Sequence, residues 1–220
     1  MEDIFGYELA NKWDYENGFY LTSDKTRIPK LLAHYELYKM ISSLPGHVVE
    51  CGVFKGASLI RFATFRDALE SSYSRKIIGF DAFGKFPEQE HVEDKKFIEI
   101  FESDAGDGIS KDELAQVFKH KNIENYELIE GDICSTIPEY LVDHPELKVA
   151  LLHIDVDVYK PTKVILEHLY DRIVPGGLIV FDDYSIVAGE TQAIDEFFAD
   201  SGAQFEKLKI SHRPTFYRKK

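Results

Sequence analysis

The chain has 220 residues, an ordinary size for one α/β domain, and 44% of them are hydrophobic, enough to fill one large core. It carries 39 acidic against 26 basic residues, and the formal charge of -13 would repel nucleic acid phosphates and anionic membrane surfaces. We therefore expect a small-molecule ligand, with no nucleic acid and no membrane partner.

The N-terminal residues and the two cysteines indicate in which cellular compartment the protein is expected. The first residues form neither a basic segment nor an apolar run, and no stretch approaches the ~18 apolar residues of a membrane span. Cys51 and Cys134 lie in or beside apolar segments, and two such cysteines do not suggest a disulfide framework. We expect a cytoplasmic protein without a standard export signal.

The predicted elements alternate in type along the chain. Residues 26–44 have apolar side chains at helical spacing and end before Pro45 and Gly46, which predicts a helix leading into the domain. Five predicted strands follow, in the runs HVVEC, KIIGFD, YELIEG, KVALLHID and GGLIVFDD, with helices predicted at 57–69, 110–119, 137–143 and 162–173. This alternation predicts an α/β fold with a mostly parallel sheet and helices on both faces.

The end of the chain and one long connection complete the prediction. A helix is expected at 190–200, and the runs QFEKLKI and RPTFYRK alternate well enough to form an antiparallel C-terminal edge. The stretch 82–112 is longer than an ordinary connection, so we expect an insertion over the site and a candidate lid. Residues 1–45 are expected to form an N-terminal helical or lid segment of one domain that spans 1–220.

The loop after the first predicted strand has the residues of a nucleoside-binding turn. Glu50, Cys51 and Gly52 begin the spacing E-x-G-x-x-x-G, which lacks the first glycine of a dinucleotide fingerprint. Glu50 would also repel a pyrophosphate, so an uncharged or cationic ligand fits better. We expect these three residues and Ser58, in the following helix, to contact the cofactor.

The second and third predicted strands also end in acidic residues. Asp81 can accept hydrogen bonds from both hydroxyls of a ribose, and Asp132 with Ile133 is placed to meet an adenine. Each residue alone is equally well explained as a helix cap or a turn former. Together and in this order they resemble the class I methyltransferase pattern, which implies S-adenosyl-L-methionine as the cofactor.

Predicted strands four and five end in the runs HIDVDVY and FDDY. If the strand order is that of class I methyltransferases, Asp155, Asp182 and Asp183 converge at one edge of the cofactor pocket, where they repel one another unless a cation or protons intervene. All-oxygen ligands suit magnesium, manganese or calcium rather than zinc. Alternatively, Asp182 and Asp183 begin a loop and Asp157 caps a helix.

The motifs VVECGVFKGASL, IIGFDAFGKFPE, LLHIDVDVYKPT, VPGGLIVFDDY and ENGFYLTSDKTRI resemble the macrocin O-methyltransferase family. The resemblance implies a Rossmann-like class I fold and Mg²⁺-assisted methylation of a hydroxyl on a sugar or a glycosylated small molecule. It also implies that Asp155, Asp182 and Asp183 bind Mg²⁺, beside the cofactor, and that Asp157 is the general base. His153 is an alternative base, although it is more typical of a packed residue.

Three other functions stay open at this point. Catechol methyltransferases have Asp-Asn where this chain has Asp182 and Asp183, and a Lys where it has Val158. A non-catalytic nucleoside-binding protein of the same fold is disfavoured by the intact carboxylate set. A nicotinamide-dependent oxidoreductase is disfavoured by the glycine spacing.

An aromatic cluster precedes the predicted domain. It consists of Trp13, Tyr15, Phe19 and Tyr20. These rings could close over a sugar or its aglycone, or they could pack against the domain or a second subunit. A homo-oligomer is therefore compatible with the sequence.

Overall fold

The computed structural model describes residues 3–87 and 92–220. It begins with a short antiparallel pair, β1 (Asp3–Ile4) and β2 (Tyr7–Glu8), followed by the helices α1 (Lys12–Thr22) and α2 (Arg27–Ile41). α1 buries none of its residues. α2 confirms the predicted leading helix and buries one face, which includes Leu37 and Tyr38.

All five predicted strands are confirmed as the parallel centre of a sheet that has seven strands within the described residues. The parallel strands are β3 (His47–Cys51), β4 (Ile77–Asp81), β5 (Tyr126–Glu130), β6 (Val149–Ile154) and β7 (Ile173–Phe181), and the antiparallel edge consists of β8 (Glu206–Lys207) and β9 (Thr215–Arg218). The spatial order is β5-β4-β3-β6-β7-β9-β8. The chain order reverses between β3 and β6, which is where open α/β sheets bind ligands.

Within the part of the chain that the structure describes, six further helices connect these strands. They are α3 (Ala57–Leu69), α4 (Val92–Ala105), α5 (Lys111–His120), α6 (Ile133–Asp143), α7 (Tyr159–Leu169) and α8 (Ala188–Phe198). The bounds of α3 are those predicted. α6 begins at Ile133 rather than at residue 137 because Asp132 caps its first turn and accepts a hydrogen bond from the Cys134 backbone N–H at 2.9 Å.

The predicted helix 162–173 extends too far at its C-terminal end. α7 ends at Leu169, and residues 170–172 form a short 3₁₀ turn. Ile173 is buried and begins β7, where it pairs with Val149 of β6. Burial between two layers therefore outweighs the local helical pattern at this residue.

The stretch 82–112, predicted to be an insertion, contains α4 and the start of α5, while its residues 88–91 lie outside the described residues. The ring of Phe101 in α4 contacts the rings of Phe54 and Phe86, with centroid separations of 5.1 and 5.7 Å. α4 therefore packs over the loop that follows β3, on the side of the sheet where the strands end.

Apolar side chains cover both faces of the sheet, which explains why its strands are nearly continuous hydrophobic runs. Val49 and Leu152 pack with α6, α7 and α8 on one face, and Val48 and Leu151 pack with α2, α3 and α5 on the other. The prediction of helices on both faces is confirmed. Within the described ranges, no helix is both long enough and apolar enough to cross a membrane.

Candidate active site

A cavity of about 440 Å³ opens beyond the carboxyl ends of the parallel strands. Nine of the residues predicted for the site line it: Gly52, Ser58, Asp81, Asp132, Ile133, Asp155, Asp157, Asp182 and Asp183. Glu50 and Cys51 were also predicted to contact the cofactor, but both are fully buried and lie behind the cavity lining. The expectation that ligands bind beyond the carboxyl ends of the strands therefore predicted the position of the cavity. The side chains of Glu50 and Cys51, the last two residues of β3, nevertheless face the protein interior.

Gly52 brings the first loop close to the end of β6. Its φ is +90°, and a Cβ at this position would collide with the carbonyl oxygen of Asp155. No other residue fits both the left-handed backbone and the close approach. The glycine therefore lets the turn after β3 approach the backbone of Asp155, one of the clustered carboxylate residues of the site.

Asp81 holds the glycine loop through its backbone. Its Oδ2 accepts hydrogen bonds from the N–H groups of Val53 and Phe54, at 2.6 and 3.0 Å, and its Oδ1 accepts one from Phe83 at 2.6 Å. A carboxylate has about four acceptor positions, so about one stays available. Accepting both ribose hydroxyls, as predicted, requires one of these backbone hydrogen bonds to be released.

Glu50 belongs to a buried polar group beneath the cavity. Its Oε1 accepts a hydrogen bond from the Ser58 hydroxyl and lies 3.5 Å from Nδ1 of His153. His153, the alternative general base, is fully buried and does not line the cavity. In this conformation it therefore cannot contact a methyl-acceptor substrate bound there. β6 ends at Ile154, so the residues that follow no longer alternate as in a strand.

Asp182 is surrounded by cationic and imidazole groups. Its Oδ2 lies 2.5 Å from Nζ of Lys30, and its Oδ1 lies 3.6 Å from Nε2 of His153 and 3.9 Å from Nε2 of His34. Burial favours the neutral acid, but the two histidines and Lys30 hold the pKa of Asp182 well below its ordinary value. Asp182 is therefore an ionised carboxylate with a cation already beside it.

The two histidines differ in charge. Burial lowers the pKa of His34 to about 4, so this ring is neutral. Burial would also lower the pKa of His153, but the carboxylates of Asp182 and Glu50 outweigh it and raise the pKa to about 10. His153 is therefore a buried cation between two carboxylates.

Asp155, Asp157 and Asp183 form a second cluster, in which one carboxylate oxygen from each lies within 4.8 Å of the others. Burial and the charge of Asp182 raise the pKa of Asp155 to about 8. Burial and the charge of Asp155 raise the pKa of Asp157 well above its ordinary value. The trio predicted to converge contained Asp182 in place of Asp157, and the structure turns Asp182 towards Lys30 instead.

Two residues outside the predicted set shape this second cluster. Arg213, which precedes β9, contacts Asp183 with 2.7 Å between its Nη1 and Oδ1. Glu190 of α8 is fully buried, accepts a hydrogen bond from the Asp183 backbone N–H and donates its own backbone N–H to the carbonyl of Asp157. Asp157 has a φ of 63°, a left-handed backbone that is uncommon outside glycine and that clusters at functional sites.

The sequence analysis did not identify Lys30, His34 or Arg213 as residues of the site. Lys30 and His34 lie on α2 and Arg213 lies in a loop, so none of them follows a strand of the sheet. The available signal was the motif ENGFYLTSDKTRI, which ends at Ile28, two residues before Lys30, and which belongs to the family resemblance although the sequence analysis gave it no role in the site.

The N-terminal aromatic cluster lies outside the cavity. Trp13, Tyr15 and Tyr20 are exposed, and none of the four rings contributes to the lining. Phe19 contacts Tyr20, with 5.4 Å between ring centroids. In this conformation the cluster therefore does not cover this cavity.

The sheet order, the glycine turn after β3 and the cavity at the reversal of chain order define a class I methyltransferase fold. The chain belongs to the macrocin-O-methyltransferase (TylF) family, whose family model matches residues 23–219. The predicted resemblance and fold class are both confirmed.

Two curated relatives illustrate this family. The chain is 30% identical over 156 residues to 8-demethyl-8-(2,3-dimethoxy-alpha-L-rhamnosyl)-tetracenomycin-C 4'-O-methyltransferase from Streptomyces olivaceus, a match that covers 68% of this chain and 57% of that protein. It is 28% identical over 186 residues to mycinamicin III 3''-O-methyltransferase from Micromonospora griseorubida, covering 80% of this chain and 69% of that protein. The chain thus spans little more than half of the first relative.

Among solved structures, the calicheamicin methyltransferase CalS11 superposes with a TM-score of 0.73 and 25% sequence identity. The superposition covers 94% of this chain and 85% of that one. The similarity therefore extends over nearly the whole chain.

Proposed function

We propose that this protein is an S-adenosylmethionine-dependent O-methyltransferase that methylates a hydroxyl group of a sugar or of a glycosylated small molecule. The observation that carries this proposal is the cluster of Asp155, Asp157 and Asp183 on the wall of a cavity bounded by the glycine loop. The relatives support the acceptor class, because the first is named for a 4'-O-methyl transfer to a rhamnosyl tetracenomycin.

The cofactor would lie along the loops after β3, β4 and β5. Gly52 allows close approach to the backbone, Asp81 retains an acceptor position for a ribose hydroxyl, and Asp132 and Ile133 border the same cavity. Ser58 completes this set at the start of α3. Glu50 and Cys51 would act from behind the lining by fixing the position of Ser58 and of the loop.

The carboxylate cluster fits a hard divalent cation such as Mg²⁺. Its donors are oxygens, and its raised pKa values come from burial and mutual repulsion, which a cation relieves. We propose Asp155, Asp182 and Asp183 as the ligands. Asp182 can take this role only after Lys30 leaves it, and until then Asp157 is the third carboxylate of the cluster. A bound cation would orient the acceptor and stabilise its alkoxide form.

Asp157 would act as the proton acceptor in the reaction. Bound S-adenosylmethionine would supply the methyl group, so that a C–O bond to the substrate hydroxyl would form as the C–S bond of the sulfonium breaks and neutral S-adenosylhomocysteine leaves. The hydroxyl proton would pass to the Asp157 carboxylate, which a bound cation would keep ionised by offsetting the burial and repulsion that raise its pKa in the metal-free protein. The hydrogen bond from Glu190 to the carbonyl of Asp157 helps to fix this residue in its strained backbone.

The proposal is tested with methyl-labelled S-adenosylmethionine, Mg²⁺ and a panel of glycosides, nucleotide sugars and catechols. Labelled sugar products support it. Label in catechols alone would instead indicate a catechol-type enzyme. Binding of S-adenosylhomocysteine without turnover on any diol would indicate a non-catalytic nucleoside-binding protein.

A further inference from the structure

Asp157, the proposed proton acceptor, lies at the centre of a strained turn. The backbone N–H of Val158 donates to the carbonyl of Val156 at 2.7 Å, and φ of Asp157 between them is 63°. A γ-turn with a positive φ is rare and strained, and it persists only where the surrounding structure holds it. The contacts on both sides of this turn therefore decide where the Asp157 carboxylate lies.

Two helices outside the turn hold its backbone. On one side, the N–H of Glu190 in α8 donates to the carbonyl of Asp157 at 3.3 Å. On the other side, the N–H of Tyr159, the first residue of α7, donates to Oδ2 of Asp94 at 3.1 Å. Asp94 belongs to α4, in the long connection after β4, and only 2% of its surface is exposed. A buried carboxylate from this connection therefore binds the backbone two residues after Asp157.

Asp94 supplies a helix cap that α7 lacks in its own sequence. The N-cap residue of α7 is Val158, whose side chain cannot accept a hydrogen bond, and the first turn of α7 contains no acidic residue. The first N–H groups of a helix need acceptors from outside the helix, and a carboxylate there also interacts favourably with the helix dipole. Because this acceptor comes from α4, the position of the start of α7 depends on the packing of α4.

Gly189 provides the space for this contact. A Cβ at residue 189 of α8 would collide with the carboxylate of Asp94 and would lie 2.8 Å from the backbone nitrogen of Tyr159. Glycine within a helix is otherwise unfavourable, because it costs more conformational entropy than alanine. The close approach of α4 and α7 to α8 therefore explains why this helical residue is a glycine.

The same face of α4 also contacts the cofactor side of the cavity. Phe101 follows Asp94 by seven residues, about two helical turns, so the two side chains lie on one face of α4. Phe101 lines the cavity, and its ring contacts the ring of Phe54 in the glycine loop, with 5.1 Å between the centroids. α4 thus connects the loop proposed to bind the cofactor with the turn that contains Asp157.

We propose that Asp94 is a positioning residue for methyl transfer, which holds Asp157 in place through the backbone of Tyr159. This inference rests on the proposed function, since it concerns the proton acceptor of the same reaction. Asp94 does not line the cavity, so it acts through the backbone and does not touch the substrate. Loss of its contact should slow the chemical step while binding of the cofactor persists.

The experiment combines amide hydrogen exchange at residues 157–160 with steady-state kinetics, in protein saturated with S-adenosylhomocysteine or S-adenosylmethionine respectively. Asp94→Ala removes the acceptor, Asp94→Asn keeps one acceptor oxygen, and Gly189→Ala places a methyl group where the Asp94 carboxylate lies. Glu99→Ala is the matched control, because Glu99 is an exposed carboxylate of the same helix. The kinetics use the panel glycoside that takes up the most label from wild-type protein.

We expect Asp94→Ala to speed exchange of the Tyr159 amide about tenfold or more, because that amide loses its acceptor. It should lower kcat on the order of 10–10²-fold, the usual cost of misplacing a reacting group by about 1 Å, without weakening S-adenosylhomocysteine binding. Asp94→Asn should retain most of the turnover. Gly189→Ala should behave like Asp94→Ala, and Glu99→Ala like the wild type.

A double variant tests whether Asp94 acts through Asp157. In the Asp157→Asn background, Asp94→Ala should lower kcat no further, because the base that it positions is already absent. Losses that multiply in the double variant would overturn the positioning role. Gly189→Ala replaces Asp94→Ala in the same comparison if the latter does not fold.

Two further results would overturn the inference: unchanged exchange of the Tyr159 amide in Asp94→Ala, or faster exchange with an unchanged kcat. Failure of the proposed function looks different. In that case the Tyr159 amide would still depend on Asp94 for its protection, while no acceptor in the panel took up label from the wild type.

Discussion

The ammonium group of Lys30 lies 2.5 Å from Oδ2 of Asp182, so a residue of the N-terminal helix α2 neutralises a carboxylate at the end of β7. Asp182 is almost completely buried, and Lys30 is mostly buried. Burial would lower the pKa of Lys30, but Asp155 and Asp182 outweigh it and raise the pKa, so this residue stays charged. Lys30 therefore occupies a position that a divalent cation would also favour.

We expect Lys30→Met to bind Mg²⁺ more tightly than the wild type, by about tenfold, the equivalent of about 1.4 kcal/mol. The physical reason is that the variant removes a cation that competes for Asp182. The measurement is titration calorimetry with Mg²⁺. Lys39→Met is the matched control, because Lys39 lies on the same helix in an exposed pair with Glu36. Unchanged or weaker binding in Lys30→Met would show that Lys30 does not compete with the metal.

Asp157→Asn should retain binding of S-adenosylhomocysteine and Mg²⁺ but lose on the order of 10²–10⁴ in kcat, the usual contribution of a positioned proton acceptor. Asp155→Asn should instead weaken metal binding, so that high Mg²⁺ partly restores its activity. Steady-state kinetics across a Mg²⁺ series separates these outcomes. If Asp157→Asn loses as much Mg²⁺ affinity as Asp155→Asn, then Asp157 is a ligand, as its place in the cluster allows.

The metal-free protein should lose thermal stability as the pH rises from about 7 to about 9, since folded carboxyls with raised pKa values hold protons that the unfolded chain has released. The pKa of Asp155 is raised to about 8, so its contribution is lost as the pH rises towards that value. The stabilising contribution of His153, whose pKa is about 10, is also lost as the pH rises above the pKa of a histidine in the unfolded chain. His34 acts in the opposite direction, but only at lower pH.

Thermal melts across this pH range, with and without Mg²⁺, check this expectation. Bound Mg²⁺ should make the slope shallower, because it replaces the protons on the cluster. Asp155→Asn should also reduce the slope without metal. If the melting temperature of the metal-free wild type rose with pH, the prediction that Asp155 and His153 both stabilise the fold less at higher pH would be wrong.

Asp81→Ala should both destabilise the fold and weaken S-adenosylhomocysteine binding severalfold. The three backbone N–H groups that Asp81 accepts would lose their partner, at about 1–3 kcal/mol for each group left unpaired in a buried setting. Thermal melts and calorimetry measure the two effects. Asp132→Ala is the comparison, because Asp132 caps α6 with one such bond. Lower stability with unchanged affinity would restrict Asp81 to holding the loop.

Chelation should abolish methyl transfer, and Mg²⁺ should restore it, since Asp155, Asp157 and Asp183 would otherwise repel one another beside a neutral hydroxyl. The assay uses labelled cofactor with excess chelator and then added Mg²⁺. S-adenosylhomocysteine binding should persist in chelator, which provides the control for an intact fold. Full turnover in chelator would remove the metal from the mechanism.

The strands of the sheet and the edge at which ligands bind were predictable from local sequence patterns. Buried parallel strands are continuous apolar runs, so each was visible in the sequence, and the carboxyl ends of parallel strands meet at one edge. That rule predicted correctly that Asp81, Asp155 and Asp183 line one cavity. These are local patterns, and a short window of sequence contains the information needed to recognise them.

The division of the carboxylates between Lys30 and the second cluster depends on how whole elements pack. Asp182 pairs with Lys30, which is 152 residues away in the chain, because α2 packs against the sheet beside β7. Asp157 joins the other cluster because β6 ends at Ile154 and the backbone turns left-handed at residue 157, so strand alternation no longer applies. Contacts across such separations depend on how whole elements pack, and no local periodicity encodes them.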